Sequence, residues 1–450
     1  MTIEALPKYM DEHLKSQDMP PGHRFSLYFK VWQNDWKRDQ DKKGALKEEV
    51  TTLSGHSIKM TEALRQRQKN LALQNNASVY FPAVSTAPFM TGMGNEHPLE
   101  NGFAFLNPYG LPYLPGSSVK GVLRTAAEEL ALGLYGETQG WDMLSVWWLF
   151  GFDRGSTLLS TKVYDKDVLV EEAKRRRDAY QNWVNNGQYD QDSLERFITT
   201  TVAKKELEKH LSNPQQFLLT IGQKDLSNRA ALCFWDVYPQ SKNLAKGILT
   251  PHHSGYFQGD NSPHDSEQPN PVVFLTVPPK SDFDFYCTGS PEILPTALQE
   301  NWQSLLQAAF GYAFDWLGFG AKTAVGYGQM KFDNDKQQSF AKDKIDRQLK
   351  AIKDAEKLET DKKLAEMPAI ERDIKLLLEE NKDPGKKDYL HLLEAVKAGR
   401  WQDDDKRTVL ERIQKLMENH KDWRPISNKK DPAKDKEHTR TVEVMKLMEQ

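Results

Sequence analysis

The chain has 450 residues, enough for two or three domains, and its 38% hydrophobic content is sufficient for a packed core. The formal net charge of −3 excludes a global field that attracts nucleic acid or an anionic membrane, so any polyanion site must be a local basic patch. No stretch has the length of a transmembrane helix and the first residues lack a signal-peptide pattern, so we expect a cytoplasmic protein without membrane contact. Cys233 and Cys287 lie in apolar runs and are expected to be buried thiols.

Residues 1–75 contain charged segments with helical spacing, and we predict a helical N-terminal extension there. The pattern changes at "ASVYFPAVSTAPFM", whose alternation of apolar and polar residues predicts a half-buried strand. The glycine-rich loop "TGMGNEHPLENGF" follows. The next segment, "LPYLPGSSVKGVLRTAAEEL", leads into a helix predicted over 118–133, because its apolar residues recur on one face.

Residues 165–215 are charged, and we expect them to form exposed helices of an insertion rather than part of the core. Four segments predict strands: "QFLLTIG", "RAALCFWDVYP", "PVVFLTVPP" and "DFDFYCTG". A long loop over 240–271 separates the second of these strands from the third, a length typical of functional or disordered loops. A helix over "PTALQENWQSLLQAAFGYAFDWLG" then runs into the turn "GFGAKTAVGYG".

This order of elements predicts an α+β protein with a β-α-β-β-α-β core of the ferredoxin-like, or RRM-like, kind. The later part of the chain is rich in lysine and glutamate with helical spacing, which predicts a separate α-helical C-terminal module. The expected organisation is a helical extension over 1–75, a core over 76–333 with the insertion at 165–215, and a helical module over 334–450.

Phosphate-binding groups are concentrated where the helix in "PGSSVKGVLR" begins. Ser117 or Ser118 is expected to cap this helix, and its free backbone N–H groups and dipole predict an anion site. Lys120 and Arg124 are one helical turn apart, so both are expected to project from one face and flank the anion. A Walker A loop is excluded, because Lys120 precedes Gly121 and that motif requires the opposite order.

The second cluster of such groups is "GFGAKTAVGYG". Its glycines, which include Gly318 and Gly320, permit positive φ and a close approach of the backbone to a ligand. Lys322 and Thr323 provide a cation and a hydroxyl, and Tyr327 provides a stacking face. A Rossmann fingerprint is excluded, because Thr323 stands where the third glycine belongs and a helix rather than a strand precedes the loop. In a ferredoxin-like fold we expect the two clusters to approach each other over the sheet, with room for a strand of RNA backbone between them.

Both clusters resemble signatures of the RAMP superfamily, the RRM-like RNA-binding subunits of CRISPR systems. "PGSSVKGVLR" resembles the first signature of the family, and "GFGAKTAVGYG" resembles its C-terminal glycine-rich loop. Further blocks resemble one branch, the sixth Cmr subunit of type III-B CRISPR effector complexes: "TGMGNEHPLENGFAFLNPYGLPYLPGSSVKG", "FWDVYP", "LTPHHSGYF" and "NPVVFLTVPP". The resemblance covers residues 76–333, in the expected order.

The resemblance implies a non-catalytic structural subunit that caps the RAMP filament and binds the CRISPR RNA towards its 3′ end. Its implied partners are CRISPR RNA, complementary target RNA, other RAMP subunits and the small helical subunit of the complex. The resemblance leaves open whether the loop 240–271 is the hairpin that some RAMP subunits insert between guide and target; its length and position are what favour this. The implied RNA-binding residues are Ser117, Ser118, Lys120, Arg124, Gly318, Gly320, Lys322, Thr323, Tyr327 and His252.

A RAMP-type endoribonuclease acting on guide or target RNA is the alternative, because some relatives cleave RNA. The histidines available as a general base are His97, His252, His253 and His264. Asp260, His264 and Asp265 resemble a metal-ligand set, but their spacing fits no standard site. We therefore expect no enzymatic activity, no cofactor and no metal. A third hypothesis, favoured by the charged helical flanks, is a protein-interaction scaffold without RNA contact.

Overall fold

The computed structural model divides the chain into two units, Met1–Arg347 and Gln348–Gln450. The long-loop residues 251–271 lie outside the described part of the chain. The three-part division expected from the sequence stays a prediction. The described residues are 6, 7, 9, 18–26, 31–37, 46, 48–98, 101–153, 167–187, 189–250, 272–381, 383 and 385–449.

The α-helices vary from a single turn to a long rod. In chain order they are α1 Pro21–Ser26, α2 Glu48–Thr51, α3 Gly55–Gln74, α4 Gly116–Ala131, α5 Met143–Phe150, α6 Asp167–Asn186, α7 Gln191–Thr201, α8 Leu207–Leu211, α9 Pro214–Thr220, α10 Thr296–Tyr312, α11 Asn334–Glu366, α12 Ala369–Glu380, α13 Asp388–Lys397, α14 Asp403–Asn419 and α15 Lys436–Glu449. A π-helical turn, Ala313–Leu317, follows α10 directly.

Most strands are short. They are β1 Ser78–Ser85, β2 Phe105–Leu106, β3 Leu111–Pro112, β4 Phe152–Asp153, β5 Ser227–Asn228, β6 Leu232–Phe234, β7 Ala245–Leu249, β8 Val272–Thr276, β9 Asp282–Gly289 and β10 Met330–Phe332. β7 pairs with β8 in an antiparallel ribbon, so a strand forms inside the segment 240–271 that the sequence predicted to be a loop throughout.

The central sheet has four strands in the spatial order β10-β1-β9-β6, and every neighbouring pair is antiparallel. Along the chain these strands occur in the order β1, β6, β9, β10, with α4 between the first two and α10 between the last two. The longest pairing joins β1 to β9 and sets Tyr80 opposite Tyr286 and Phe81 opposite Phe285. Because side chains alternate along a strand, the tyrosines share one face and the phenylalanines share the other.

The phenylalanine face of the sheet packs against α4 and α10 to form the main core. Phe81 of β1 stacks on Phe310 of α10 with 4.2 Å between ring centroids. Leu123 of α4 and Leu306 of α10 are fully buried in the same cluster. Helix α4 begins at Gly116 and ends at Ala131, slightly earlier than the 118–133 predicted from the spacing of its apolar residues.

The tyrosine face of the sheet is covered by α3 and the start of α11. Tyr80 stacks on Tyr286 at 4.9 Å and contacts Phe340 of α11 at 4.7 Å, measured between ring centroids. The buried carboxylate of Asp284 accepts a hydrogen bond from the Tyr80 hydroxyl at 2.7 Å and pairs with Arg65 of α3 at 2.7 Å. β1 is therefore buried on both faces, and the prediction of a half-buried strand is wrong because it did not foresee these covering helices.

The helices between β4 and β5 are amphipathic and contribute to the main core. Trp147 of α5 packs on Phe197 of α7, with ring centroids 5.3 Å apart, and Tyr180 of α6 is buried beside it. The expectation that this charged region forms only exposed helices is therefore wrong for its apolar residues. The predicted strand "QFLLTIG" is also wrong: its first residues belong to α9, where Pro214 begins the helix and the Asn213 side chain caps it.

The second unit is built from α-helices. Its apolar cluster includes Leu392 of α13 and the residues Val409, Ile413 and Met417 of α14, all completely buried. The carboxylate of Asp422 accepts a hydrogen bond from the buried Tyr389 hydroxyl at 2.7 Å. Within the described ranges of the whole chain, no helix combines the length and apolar character that crossing a membrane requires.

Candidate nucleic-acid interface

Helix α4 begins against the end of β6, and its first amide is already bonded to a carboxylate. Pro115 is the N-cap residue and makes no side-chain cap hydrogen bond, so the predicted capping by Ser117 or Ser118 is wrong. A Cβ atom on Gly116 would lie 2.2 Å from the Phe234 carbonyl oxygen, so only glycine fits there. The Gly116 amide donates to Asp236 Oδ1 at 2.8 Å. An internal anion therefore occupies the favourable position expected for a phosphate.

The two cations of α4 differ, because Arg124 has a partner within the protein and Lys120 has no ion pair to any described residue. Arg124 Nε donates to Glu128 Oε1 at 2.9 Å, and the two side chains are only 14% and 9% exposed. Lys120 is half-buried, and the pKa of its ammonium lies below the usual value because of desolvation and the nearby charge of Arg124. Their roles as RNA contacts stay predictions, but Arg124 has a structural partner that its spacing from Glu128 could have revealed.

A different face of α4 is open and carries small residues. Ser118, Gly121, Val122 and Thr125 follow the i, i+3, i+4, i+7 spacing of one helix stripe. Ser118 and Gly121 are exposed, and a Cβ atom on Gly121 would meet nothing within 4 Å. This stripe allows another chain to approach the helix backbone closely.

The second cluster, "GFGAKTAVGYG" at 318–328, is the glycine-rich loop meant from here on. It packs against the segment that follows β1. The Ala321 amide donates to the Met90 carbonyl oxygen at 2.8 Å, and the Gly328 amide donates to the Pro88 carbonyl oxygen at 2.8 Å. Gly318, Gly320 and Gly328 all have positive φ. A Cβ atom on Gly320 would lie 2.2 Å from the Met90 oxygen, and one on Gly328 would lie 1.8 Å from the Phe319 oxygen. The glycines are therefore needed for packing as well as for the turn.

The polar residues of this loop differ in how accessible they are. Lys322 has φ +58, in the left-handed region, and is partly exposed without an ion pair to any described residue. Thr323 is partly exposed at the start of a 3-10 turn. Tyr327 is half-buried, with its ring edge-on to Phe274 at 5.8 Å between centroids. Along the part of the chain that the structure covers, the amides of Gly320 and Lys322 have no hydrogen-bond acceptor.

The two clusters come together around a cleft of about 530 Å³, which we call the groove. One wall is the small-residue stripe of α4 and another is the glycine-rich loop. The third wall is Thr91–Gly94, for which the sequence predicted no ligand contact. The lining residues are Thr91, Gly92, Met93, Gly94, Ser118, Gly121, Val122, Thr125, Gly320 and Ala321.

Of the four histidines considered for catalysis, the structure describes only His97. His97 Nε2 is 2.8 Å from the Phe25 carbonyl oxygen, and its ring stacks on Phe25 at 3.8 Å between centroids. Burial lowers the pKa of His97, opposed by that hydrogen bond. These contacts are those of a packed histidine. The remaining catalytic candidates, with the predicted RNA contact His252, lie outside the described residues: His252, His253, Asp260, His264 and Asp265.

The cysteines are free thiols with different surroundings. Cys287 is buried as expected, and burial raises the pKa of its thiol. Cys233 is exposed, so the prediction of two buried thiols is wrong for it, because side chains alternate along β6 and Cys233 points away from the main core that holds Leu232. Over the described segments, no three His, Cys, Asp or Glu side chains come together in a way that could hold a metal ion.

The part of the chain that holds the central sheet, α4 and the glycine-rich loop matches a known protein family. Residues 84–331 match the model of the RAMP superfamily, more than half of the chain, and the chain belongs to that superfamily. Within it, the chain is similar to the CRISPR system Cmr subunit Cmr6 of Pyrococcus furiosus, with 25% identity over 265 residues. That alignment covers 54% of this chain and 64% of the relative, less than two thirds of its length.

Two solved structures are also similar. A chain of the type III-B Cmr-beta complex bound to cognate target RNA aligns over 68% of this chain and 78% of its own length, with 15% identity and a TM-score of 0.33. The crystal structure of Cmr6 from Pyrococcus furiosus aligns over 57% of this chain and 97% of its own length, with 22% identity and a TM-score of 0.26.

Proposed function

We propose that this chain is a non-catalytic structural subunit of a type III-B CRISPR effector complex and that it binds the CRISPR RNA backbone in the groove. The observation that carries this proposal is the groove itself, where α4, Thr91–Gly94 and the glycine-rich loop present small residues to an open cleft. Membership of the RAMP superfamily and the similarity to Cmr6 support the type of complex.

The groove suits a sugar-phosphate backbone. Ser and Thr hydroxyls and backbone N–H groups supply many of the contacts that proteins make to phosphate and sugar oxygens. Ser118 provides an exposed hydroxyl along the cleft and Gly320 provides an amide, whereas the Thr125 hydroxyl already donates to the Gly121 carbonyl oxygen at 3.2 Å. Lys322 adds a partly exposed cation on the same loop. These contacts hold RNA in position without reading its sequence.

The tyrosine face of the sheet is covered by helices, which favours the groove over the sheet face as the RNA-binding surface. The four strands of the central sheet lie in the spatial order β10-β1-β9-β6, which is 4-1-3-2 when they are numbered along the chain. We interpret this order, with the β-α-β-β-α-β sequence of elements, as a ferredoxin-like core. In RRM proteins of this topology, aromatic residues on the open sheet face stack on RNA bases. Here Tyr80 and Tyr286 occupy that face, but they are buried under α3 and α11. RNA therefore needs another surface.

The proposed partners follow from the family and its relatives. They are CRISPR RNA, complementary target RNA, other RAMP subunits and the small helical subunit of the complex, in the cytoplasm. The proposed absence of catalysis is supported by His97, whose ring is stacked and whose Nε2 is hydrogen-bonded to the backbone. The predicted contact at His252 belongs to the same proposal.

The test uses Gly121, whose Cβ position is open and faces the groove. The affinity of the purified full chain for single-stranded RNA is measured for Gly121→Glu and for its neutral isostere Gly121→Gln, with Gly121→Ala as the folding control. We expect Gly121→Glu to bind at least about tenfold more weakly than Gly121→Gln, because a carboxylate close to a phosphate costs on the order of 1–4 kcal/mol.

Equal RNA affinity of the two variants contradicts the groove as an RNA site. RNA integrity is checked on a gel after each titration, in a buffer with divalent cations. Intact RNA agrees with a structural subunit, whereas cleavage that purifies with the chain contradicts the non-catalytic role and favours the endoribonuclease alternative.

A further inference from the structure

A second concave site lies in the helical region between β4 and β5, built from elements that do not contribute to the groove. It has a volume of about 530 Å³ and we call it the lysine–histidine pocket. Its lining residues come from α8, α9 and the turn that follows α9, and every one of them is polar or charged. They are Lys209, His210, Asn213, Gln216, Thr220 and Lys224.

The centre of this pocket is a buried histidine in contact with a lysine. His210 is 7% exposed, and its Nε2 lies 3.2 Å from Lys224 Nζ. Because an ammonium group only donates hydrogen bonds, this contact requires a neutral imidazole that accepts at Nε2. Burial and the charges of Lys224 and Lys209 lower the pKa of His210. Two ammonium groups therefore create a positive potential around a neutral ring.

The positive charge of the pocket is not neutralised by ion pairs. Where the structure describes the chain, neither Lys209 nor Lys224 forms an ion pair with a carboxylate. The carboxylate of Glu206 lies at the rim, with Oε2 3.9 Å from His210 Nε2, and its side chain is 54% exposed. A concave site with two unpaired ammonium groups attracts an anion and holds it against polar side chains.

We propose that the lysine–histidine pocket binds a phosphate group. Lys209 and Lys224 supply charged donors. The Asn213 Oδ1 atom accepts from the Gln216 backbone N–H at 3.1 Å, which leaves the Asn213 side-chain NH₂ group for a ligand. The phosphate comes either from an RNA backbone or from a free or terminal phosphomonoester, and the same donors serve both. The pocket shares no residue with the groove, so this proposal goes beyond the proposed function.

The test follows the His210 imidazole of the full chain by ¹H–¹⁵N NMR, assigned with His210→Gln. Three probes are titrated separately: inorganic phosphate, a nucleoside 5′-monophosphate, and an RNA with phosphodiesters but no terminal phosphate. We expect saturable shifts of the His210 signals with at least one probe, and the responding probe identifies the source of the phosphate. No saturable shift with any of the three overturns the proposal.

Charge variants distinguish phosphate binding in this pocket from non-specific electrostatic attraction of the probe to the protein. Lys224→Met should raise the dissociation constant of the responding probe about tenfold, since it removes one charged hydrogen bond. Lys224→Arg should retain binding and shows that the fold tolerates a change there. Glu206→Gln should tighten binding, because it removes a like charge from the rim.

The matched control is Lys205→Met, which removes an equal charge from an exposed position outside the pocket lining. An equal loss of affinity in Lys205→Met and Lys224→Met overturns the proposal, because it indicates diffuse attraction. Gly121→Glu should leave this binding unchanged. A result that overturns phosphate binding in the pocket therefore does not contradict RNA binding in the groove, and the reverse also holds.

Discussion

The start of α4 and the glycine-rich loop look alike as sequence, since both combine glycine, hydroxyl and lysine, but they differ in the structure. At α4 the charged groups have internal partners: Asp236 accepts from the first amide and Glu128 pairs with Arg124. In the loop Lys322 has no ion pair to any described residue, and Gly320 and Gly328 are needed for backbone packing. A cation in such a motif is therefore a candidate for ligand contact only where the fold leaves it unpaired, as with Lys322 and unlike Arg124.

The largest expected effect tests whether Arg124 is structural. Arg124→Met leaves the Glu128 carboxylate buried without its partner and should lower the free energy of unfolding of the first unit by about 3 kcal/mol. Glu128→Leu added to it should restore most of the loss, as measured by differential scanning calorimetry. The double variant should bind RNA within about twofold of wild type. A tenfold loss of RNA affinity in the stable double variant would show that Arg124 contacts RNA after all.

The same pair predicts a pH dependence. Burial raises the pKa of Glu128 above its usual value although Arg124 opposes the shift. A carboxyl whose pKa is raised on folding contributes stability below its unfolded pKa, and this contribution is lost as the pH rises through the folded pKa. The total loss of stability should be larger in Arg124→Met and should extend to higher pH, because the opposing charge is gone, and unfolding midpoints at several pH values measure it. Identical pH profiles for wild type and Arg124→Met would contradict the pairing.

An intermediate effect compares two glycines, one from each region. Gly328→Ala places a Cβ at positive φ against the Phe319 oxygen and should cost more than about 2 kcal/mol of stability. Gly121→Ala lies in a helix with open space around it and should gain about 1 kcal/mol. Unfolding midpoints of both variants are compared in one calorimetric series. If the two shift in the same direction, the distinction between the loop and α4 is wrong.

The smallest effect concerns Lys322. Lys322→Gly removes the cation at a residue whose positive φ suits glycine, so the backbone should be unaffected. RNA affinity should fall severalfold at low salt, and the slope of log affinity against log salt should decrease by about one ion. Lys331→Gln removes an equal charge from the following strand as the control. Equal slopes for Lys322→Gly and wild type would exclude Lys322 from the RNA contacts.

The features predicted best from the sequence depend on local pattern. The helical spacing of α4 and α10, the strands β1 and β9, and the glycine turn all arise from neighbouring residues, and the structure has each of them close to its predicted place. Membership of the RAMP superfamily was also predicted and is confirmed. The strand predicted at "QFLLTIG" failed because its apolar run fits a short helix equally well, and the decisive cap at Asn213 lies outside that run.

The features that were missed depend on contacts between distant segments. Asp236 reaches the start of α4 from beyond β6, and Thr91–Gly94 joins the groove only when the glycine-rich loop docks beside it. The cover over Tyr80 combines α3 with α11, which lie far apart in the chain. No local periodicity indicates such contacts. Arg124 is the exception, because its ion pair with Glu128 one helical turn later could have been predicted from local spacing, although it was not.

The most direct test of the central claim is photo-crosslinking of the full chain to a single-stranded RNA containing 4-thiouridine, with the crosslinked peptides identified by mass spectrometry. We expect crosslinks in the three segments that line the groove, 91–94, 118–125 and 320–321. These crosslinks should be lost in Gly121→Glu and retained in Gly121→Gln. Crosslinks confined to α3 and α11, or crosslinks in the groove that Gly121→Glu leaves unchanged, would contradict RNA binding in the groove.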